Sequence, residues 1–232
     1  MNLKGIKLTW LGHATFRIQT PGGKIILIDP WVMNNPACPE SEKQIKHLEV
    51  MLVTHAHNDH IGDAVEIGKK HQPTVVAIPE LGGWLEKRGL KNVIDMNKGG
   101  TVKVADIKVT MVHADHSCGI QDGDQLLYGG EAVGYVIEFE NGVRIYHAGD
   151  TNVFGDMKII HDLYNPEIAM LPIGDHYTMS PREAAYAAKL LQAKTIIPMH
   201  FATFPVLTGR PSELHKLAPD FEVFEMKPGQ SV

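Results

Sequence analysis

The stretch Thr54-His55-Ala56-His57-Asn58-Asp59-His60 places four side chains of metal-ligating type within six positions, His55 to His60. It follows directly on Val50 to Val53, a solid apolar run that reads as a buried strand. In extended backbone, residues two apart point to the same side, so His55 and His57 can grip one cation together. Asn58 tolerates the backbone angles of a turn. Asp59 and His60 then fall in the first turn of a helix and aim back into the same space from another direction. The spacing offers ligands to two metals rather than one. The alternative is a polar loop that is merely rich in histidine, and the density of ligand-type residues at a strand end disfavours it.

Three further stretches sit at or just past the ends of expected strands. His113-Ala114-Asp115-His116-Ser117 follows Ile107 to Val112, Gly149-Asp150-Thr151 follows Val143 to Tyr146, and Met199-His200 follows Thr195 to Ile197. Ligands gathered at the carboxyl ends of neighbouring strands converge on one crevice in α/β proteins. Asp150 suits a bridging role, because a carboxylate can hold one cation with each oxygen. Taken singly, each of these residues is as well explained as a turn former or a structural group.

The elements that must position these groups alternate along the chain. Ile6 to Trp10, Phe16 to Ile18 and Lys24 to Ile28, the last after the turn Pro21-Gly22-Gly23, read as antiparallel strands. Asp59 to Lys70 reads as one helix, Pro73 to Ile78 as a strand and Leu81 to Lys87 as a short helix. Val102 to Val104 and Ile107 to Val112 are strands. Tyr135 to Phe139 and Val143 to Tyr146 flank Asn141-Gly142, a strong hairpin signal. Ile168 to Leu171 and Thr195 to Ile197 are buried strands. Between them lies the clearest helix, with Ser180 as cap, Pro181 in the first position and Glu183 completing a capping box. Its Ala184, Ala188 and Leu191 share one face. Antiparallel hairpins open each half and strand–helix units follow, which predicts an α/β sandwich. Gly119 to Gly130, rich in glycine and acid, is expected to be a mobile surface loop.

Composition narrows the class. The chain has 232 residues, 22 Lys+Arg against 27 Asp+Glu, and a formal charge of −5. That length fits one domain spanning residues 1–232. The acidity gives no basic face for nucleic acid, and no apolar run approaches the ~20 residues of a membrane span. The opening residues lack a signal-peptide pattern. Cys38 and Cys118 are too few for a disulfide framework, so a cytoplasmic location is expected. Thirteen histidines against two cysteines is the unusual balance.

The motifs THAHNDHIGD, HADHS, YHAGDT and IIPMH, in that order, resemble the metallo-β-lactamase superfamily over nearly the whole chain. The resemblance implies a four-layer αβ/βα sandwich of two mixed sheets, with the metal site at one edge. It implies that His55, His57 and His116 hold a first metal, that Asp59, His60 and His200 hold a second, and that Asp150 bridges them. His113 competes for the third position. His116 is preferred because it lies past the strand end, whereas His113 belongs to the strand. Cys118 reads as a small buried residue rather than a ligand.

Thr9-Trp10-Leu11-Gly12-His13-Ala14-Thr15-Phe16, with Ile28-Asp29-Pro30-Trp31, narrows the resemblance to a bacterial and archaeal family of metal-dependent hydrolases. More distantly, the chain is similar to N-acylphosphatidylethanolamine phospholipase D and ascorbate-6-phosphate lactonase. Asp150 stands where zinc β-lactamases carry cysteine, so antibiotic hydrolysis is not the expected role.

The activity this implies is hydrolysis of a phosphodiester, lactone or related ester, small or lipid-like, by a hydroxide bridging two divalent cations. Zinc suits the imidazole-rich set, and mixed His/Asp sites also accept manganese, iron or nickel. Asp59 and Asp150 would orient the nucleophile, and His176 or His13 would assist the leaving group. His13 and Asp29 are candidates for orienting metal-bound imidazoles, with a satisfied core histidine the equal alternative for His13. His176-Tyr177-Thr178 is placed to contact substrate, and Phe201 to Phe204 to form an apolar wall. His47, His71, His161 and His215 read as surface residues. Two other classes compete: an iron-dependent oxidoreductase on the same fold, and a non-catalytic metal-binding protein. The full set of seven ligand candidates argues against both.

Overall fold

The computed structural model describes Met1 and residues 3–232. Six strands, β1 (Lys7–Gly12), β2 (Thr15–Gln19), β3 (Ile25–Ile28), β4 (Val50–Leu52), β5 (Thr74–Ala77) and β6 (Val93–Asp95), form one sheet in chain order. The first three are antiparallel neighbours and β3 to β6 run parallel. Alternation in β2 sets its register, with Phe16 and Ile18 buried and Arg17 half-buried between them.

The second half repeats the plan. It contains β7 (Thr101–Val104), β8 (Ile107–His113), a separate hairpin of β9 (Gly119–Asp122) and β10 (Gln125–Tyr128), and then β11 (Val133–Glu138), β12 (Arg144–His147), β13 (Ile168–Pro172), β14 (Thr195–Met199) and β15 (Glu222–Val223). Across this sheet the order is β15-β14-β13-β12-β11-β8-β7, antiparallel from β7 to β12 and parallel from β12 to β15. Every residue of β13 and β14 is buried, as strands covered on both faces require.

Among the described residues six α-helices complete the fold: α1 (Asn58–Ile61), α2 (Ala64–His71), α3 (Pro79–Lys87), α4 (Met157–Tyr164), α5 (Pro181–Leu191) and α6 (Pro211–Leu217). Helix α3 packs on β5 and β6, while α5 and α6 cover β13 and β15. One continuous apolar cluster joins the inner faces, from Phe16 and Met51 to Tyr135 and Met170. The result is the helix–sheet–sheet–helix sandwich that the motifs implied. Polar bonds also cross between the halves. Tyr135 Oη donates to the Val53 carbonyl at 2.8 Å, and the Val133 N–H donates to the Thr54 carbonyl at 3.0 Å.

Helix α5 has the anticipated start. The Glu183 N–H donates to Ser180 Oγ at 3.3 Å, and the Glu183 carboxylate accepts the Ser180 N–H at 2.8 Å. Two local expectations are corrected. The helix over Asp59 to Lys70 is two helices, because Asp63 leaves the helical path and its Oδ2 accepts the N–H groups of Val32 and Met33 at 2.5 and 2.7 Å. The stretch Gly119 to Gly130 is not a plain loop. Its β9 and β10 pair from Gly119↔Tyr128 to Asp122↔Gln125 around a two-residue turn, with Gly123 at φ 60°. Asp122 also ties this hairpin to Trp84 and Arg88 of the α3 region.

Candidate metal centre

The ligand candidates come from strand ends in both sheets. His55 to His60 leave β4 and enter α1; His116 follows β8, Asp150 follows β12 and His200 follows β14. His55, His60, Asp150 and His200 are buried, while His57, Asp59 and His116 are partly open to a cleft.

Asp150 Oδ2 is the focus of the cluster. It lies 3.0 Å from His200 Nε2, 3.3 Å from His60 Nε2, 3.7 Å from His116 Nε2 and 3.9 Å from His55 Nε2. His57 Nδ1 stands 3.1 Å from His55 Nε2, and Asp59 Oδ2 is 3.8 Å from His200 Nε2. The donors form overlapping sets: His55, His57 and His116; His13, Asp59, His60 and His200; and His55, His60 and Asp150. Asp150 and its histidine neighbours therefore connect the two groups that the motifs suggested.

These donors fit divalent cations. His60 Nε2, Asp150 Oδ1 and both ring nitrogens of His200 are buried without a hydrogen-bond partner. A buried polar atom left unpaired costs about 1–3 kcal/mol, and His60 Nε2 and His200 Nε2, which both approach Asp150, would be satisfied together by a shared ligand. Imidazole and carboxylate are the donor types that zinc, manganese, iron and nickel accept.

Surrounding groups fix ring directions. Asp29 Oδ1 accepts the Thr54 N–H at 2.8 Å, and its Oδ2 accepts Thr54 Oγ1–H and His60 Nδ1–H, each at 2.8 Å. Thr54 Oγ1 lies 3.1 Å from His55 Nδ1, so the Asp29–Thr54 pair orients two imidazoles. His13 is fully buried, with Nε2 3.0 Å from Asp59 Oδ2 and Nδ1 2.9 Å from Thr203 Oγ1. His13, Asp29 and His200 all hold left-handed backbone, at φ 57°, 50° and 55°, which is costly for residues other than glycine.

The acid–base pattern is that of carboxylates enclosed by imidazoles. Burial opposes charge on His60 and His200, yet Asp150 outweighs it, holding His60 well above the ordinary histidine range and raising His200 to about 9. Burial and then the neighbouring His200 push His13 down to about 4. Burial works against an ionised Asp150 as well, but His200 and His60 keep it well below the carboxylate range.

A cleft of about 740 Å³ opens onto the cluster. Its lining includes His57, Asp59, His116, Asp150 and His200, facing Trp31, Tyr177, Phe204, Pro205 and Val206. His176, expected at the leaving group, is exposed and packs edge-on against the Tyr177 ring, and Tyr177 rather than His176 lines the cleft. His113 ends β8 with its side chain outward against Phe154, away from the cluster. Cys118 is buried and its thiol donates to the Gly129 carbonyl. His147 is satisfied by the Ala14 carbonyl and the Gly149 N–H, and has no part in the cluster. His161, expected at the surface, is half-buried on α4. Sequence reasoning did not anticipate Pro205 and Val206 in the cleft wall, and it held no signal for them.

Comparison with known proteins identifies the family. A family model described as the beta-lactamase superfamily domain matches residues 24–201. A UPF0173 metal-dependent hydrolase of Koribacter versatilis is 71% identical over 231 residues, covering 100% of this chain and 99% of that protein. One from Solibacter usitatus is 50% identical, covering 98% and 99%. Among solved structures, Igni18, a metallo hydrolase from Ignicoccus hospitalis, is 36% identical with a TM-score of 0.86 over 98% of this chain and 97% of that one. With its strand-end cluster and these relatives, the chain belongs to the beta-lactamase superfamily and, within it, to the metal-dependent hydrolases.

Proposed function

We propose that the protein is a dinuclear hydrolase of carboxylic esters, lactones or phosphodiesters. In this reading His55, His57 and His116 hold one divalent cation, Asp59, His60 and His200 hold the other, and Asp150 spans both. The observation that supports it most is the convergence of four imidazole nitrogens within 3.0 to 3.9 Å of the single oxygen Asp150 Oδ2. Zinc is the favoured occupant on donor chemistry, with manganese, iron or nickel as substitutes. When bound, such a pair would supply Lewis acidity toward a carbonyl or phosphoryl oxygen and lower the pKa of water toward about 7.

The remaining work falls to the chain. Asp59 reaches the cleft with its Oδ2 held by His13, so its carboxylate has a fixed direction for orienting water and taking up a proton. Asp29 and Thr54 keep the rings of His60 and His55 turned inward. Tyr177 stands at the mouth, where a leaving group departs, and His176 acts through its packing on that ring. Two free buried thiols fit a reducing, cytoplasmic setting, and the continuous core fits one domain over residues 1–232.

The test combines metal analysis with turnover of bis(p-nitrophenyl) phosphate and p-nitrophenyl acetate by zinc- and manganese-loaded protein. Two metal equivalents per chain are expected, with activity and at least one equivalent lost in Asp150→Ala. A variant that keeps both metals and full turnover would overturn the reading.

A further inference from the structure

The cleft has two unlike sides. Opposite the histidines and aspartates stands an apolar wall of Trp31, Phe204, Pro205 and Val206, with Tyr177 beside it. Trp31 and Phe204 lie with ring centroids 6.0 Å apart, and Phe204 sets its edge against His13 at 5.6 Å. The wall is thus anchored on a buried residue of the metal cluster. Its outer part is open, with Tyr177 57% and Val206 43% exposed. Large apolar side chains left uncovered beside a reactive centre mark a place where ligand carbon would replace water.

Charge is distributed just as unevenly. Among the described residues no lysine or arginine lines the cleft, and Asn58 and Ser117 are its uncharged polar members. The nearest arginine along the chain, Arg210, is engaged elsewhere, its Nη1 donating to the Leu207 and Gly209 carbonyls at 2.8 Å each. An anionic arm laid along this wall would lose hydration and meet no lysine or arginine in exchange. The volume of about 740 Å³ far exceeds what an acetyl or phosphoryl centre fills, so an arm of several carbons is accommodated.

We infer that the site selects an uncharged ester or lactone with an apolar arm of several carbons laid along Trp31, Phe204 and Val206, in preference to substrates whose arms carry further negative charge. The inference rests on the hydrolase reading and narrows its substrate. In the reaction the oxygen of water bonds to the acyl carbon and the acyl–oxygen bond breaks. One proton of the water passes to the departing alcohol, and the other leaves as the acid ionises to its carboxylate.

The experiment has two arms. In the first, metal-loaded protein is given p-nitrophenyl esters from acetate to octanoate, the suberate half-ester with its free carboxylate, and bis(p-nitrophenyl) phosphate. We expect kcat/KM to rise roughly two- to fourfold per methylene until the wall is covered. The suberate half-ester should fall at least tenfold below octanoate. Phe204→Ala should flatten the length dependence, and Val206→Lys should narrow the gap between suberate and octanoate. In the second arm, chelated wild-type protein is titrated with 2-alkanones by calorimetry, which reads the wall without turnover and without relying on any variant. Tighter binding with length is expected. Ester turnover that is indifferent to arm length, ketone binding that is likewise flat, or a preference for the carboxylate arm or the phosphodiester over octanoate would overturn the inference and leave the hydrolase reading standing. No turnover of any substrate by protein shown to carry two metals would overturn the hydrolase reading, and the inference with it.

Discussion

Asp29 accepts three hydrogen bonds, from the Thr54 N–H, Thr54 Oγ1 and His60 Nδ1, although it lies 31 residues before His60. Removing its carboxylate leaves His60 Nδ1–H without an acceptor and frees the ring to rotate. Asp29→Ala should therefore weaken metal binding about 10- to 100-fold, read by competition against a chelator of known affinity. Unchanged affinity would show that packing alone holds the ring. The thiols lead to a second expectation. Burial pushes Cys38 and Cys118 up to about 11 from an ordinary value of 9.0, a shift that cuts the thiolate fraction about a hundredfold near neutral pH. Disulfide-exchange reagents at pH 8 should label the folded protein at least that much more slowly than the urea-unfolded chain, and equal rates would refute it. At this scale, legibility depended on sequence distance. His55 to His60 could be read because one strand end compresses them into a single pattern. The contacts of His13 with Asp59 and Thr203 span 46 and 190 residues, and no local periodicity reports such a pair.

Elements place these residues through close approaches that a sequence pattern only partly encodes. Helix α5 was legible from its cap, and the N–H of Glu183 does bond to Ser180 Oγ. Ser180→Ala should lower stability by about 1 kcal/mol, visible as a small drop in Tm with metal content unaltered. The break between α1 and α2 was not legible, because Asp63 turns away to serve the amides of Val32 and Met33, far from it along the chain. The β9–β10 hairpin was hidden by composition, since the glycine and aspartate that suggest a loop are also the residues of a tight turn. The loop after β13 carries a sharper constraint. A Cβ on Gly174 would collide with the backbone carbonyl of His200 and meet Leu207 at 3.1 Å. Backbone cannot swing aside as a side chain can, so Gly174→Ala should displace His200, cost about 1–3 kcal/mol and reduce metal stoichiometry. A variant with wild-type Tm and full metal content would show that the loop yields freely.

For the whole molecule, the proposed cations join two halves. His55, His57, Asp59 and His60 belong to the first sheet's strand ends, while His116, Asp150 and His200 belong to the second's. The halves do not depend on metal alone, because one apolar cluster runs between them. Tyr135 Oη reaches the Val53 carbonyl, His147 Nε2 donates to the Ala14 carbonyl at 2.9 Å, and the His200 N–H donates to the His13 carbonyl at 3.1 Å. Chelation should therefore leave the fold in place, unlike in small domains that a structural metal holds together. It should still remove the stabilisation that binding gives the native state, about 4 kcal/mol per site when free metal is a thousandfold above its dissociation constant. At roughly 2–4 °C per kcal/mol for a chain of this size, losing one such site lowers Tm by about 10 °C. Circular dichroism and calorimetry of chelated protein should show a native far-ultraviolet spectrum and a single transition at lower temperature, restored by adding metal back. A chelated protein that unfolds outright would mean that the sheets cannot hold together without the centre, and an unmoved Tm would mean that the clustered histidines bind no cation tightly.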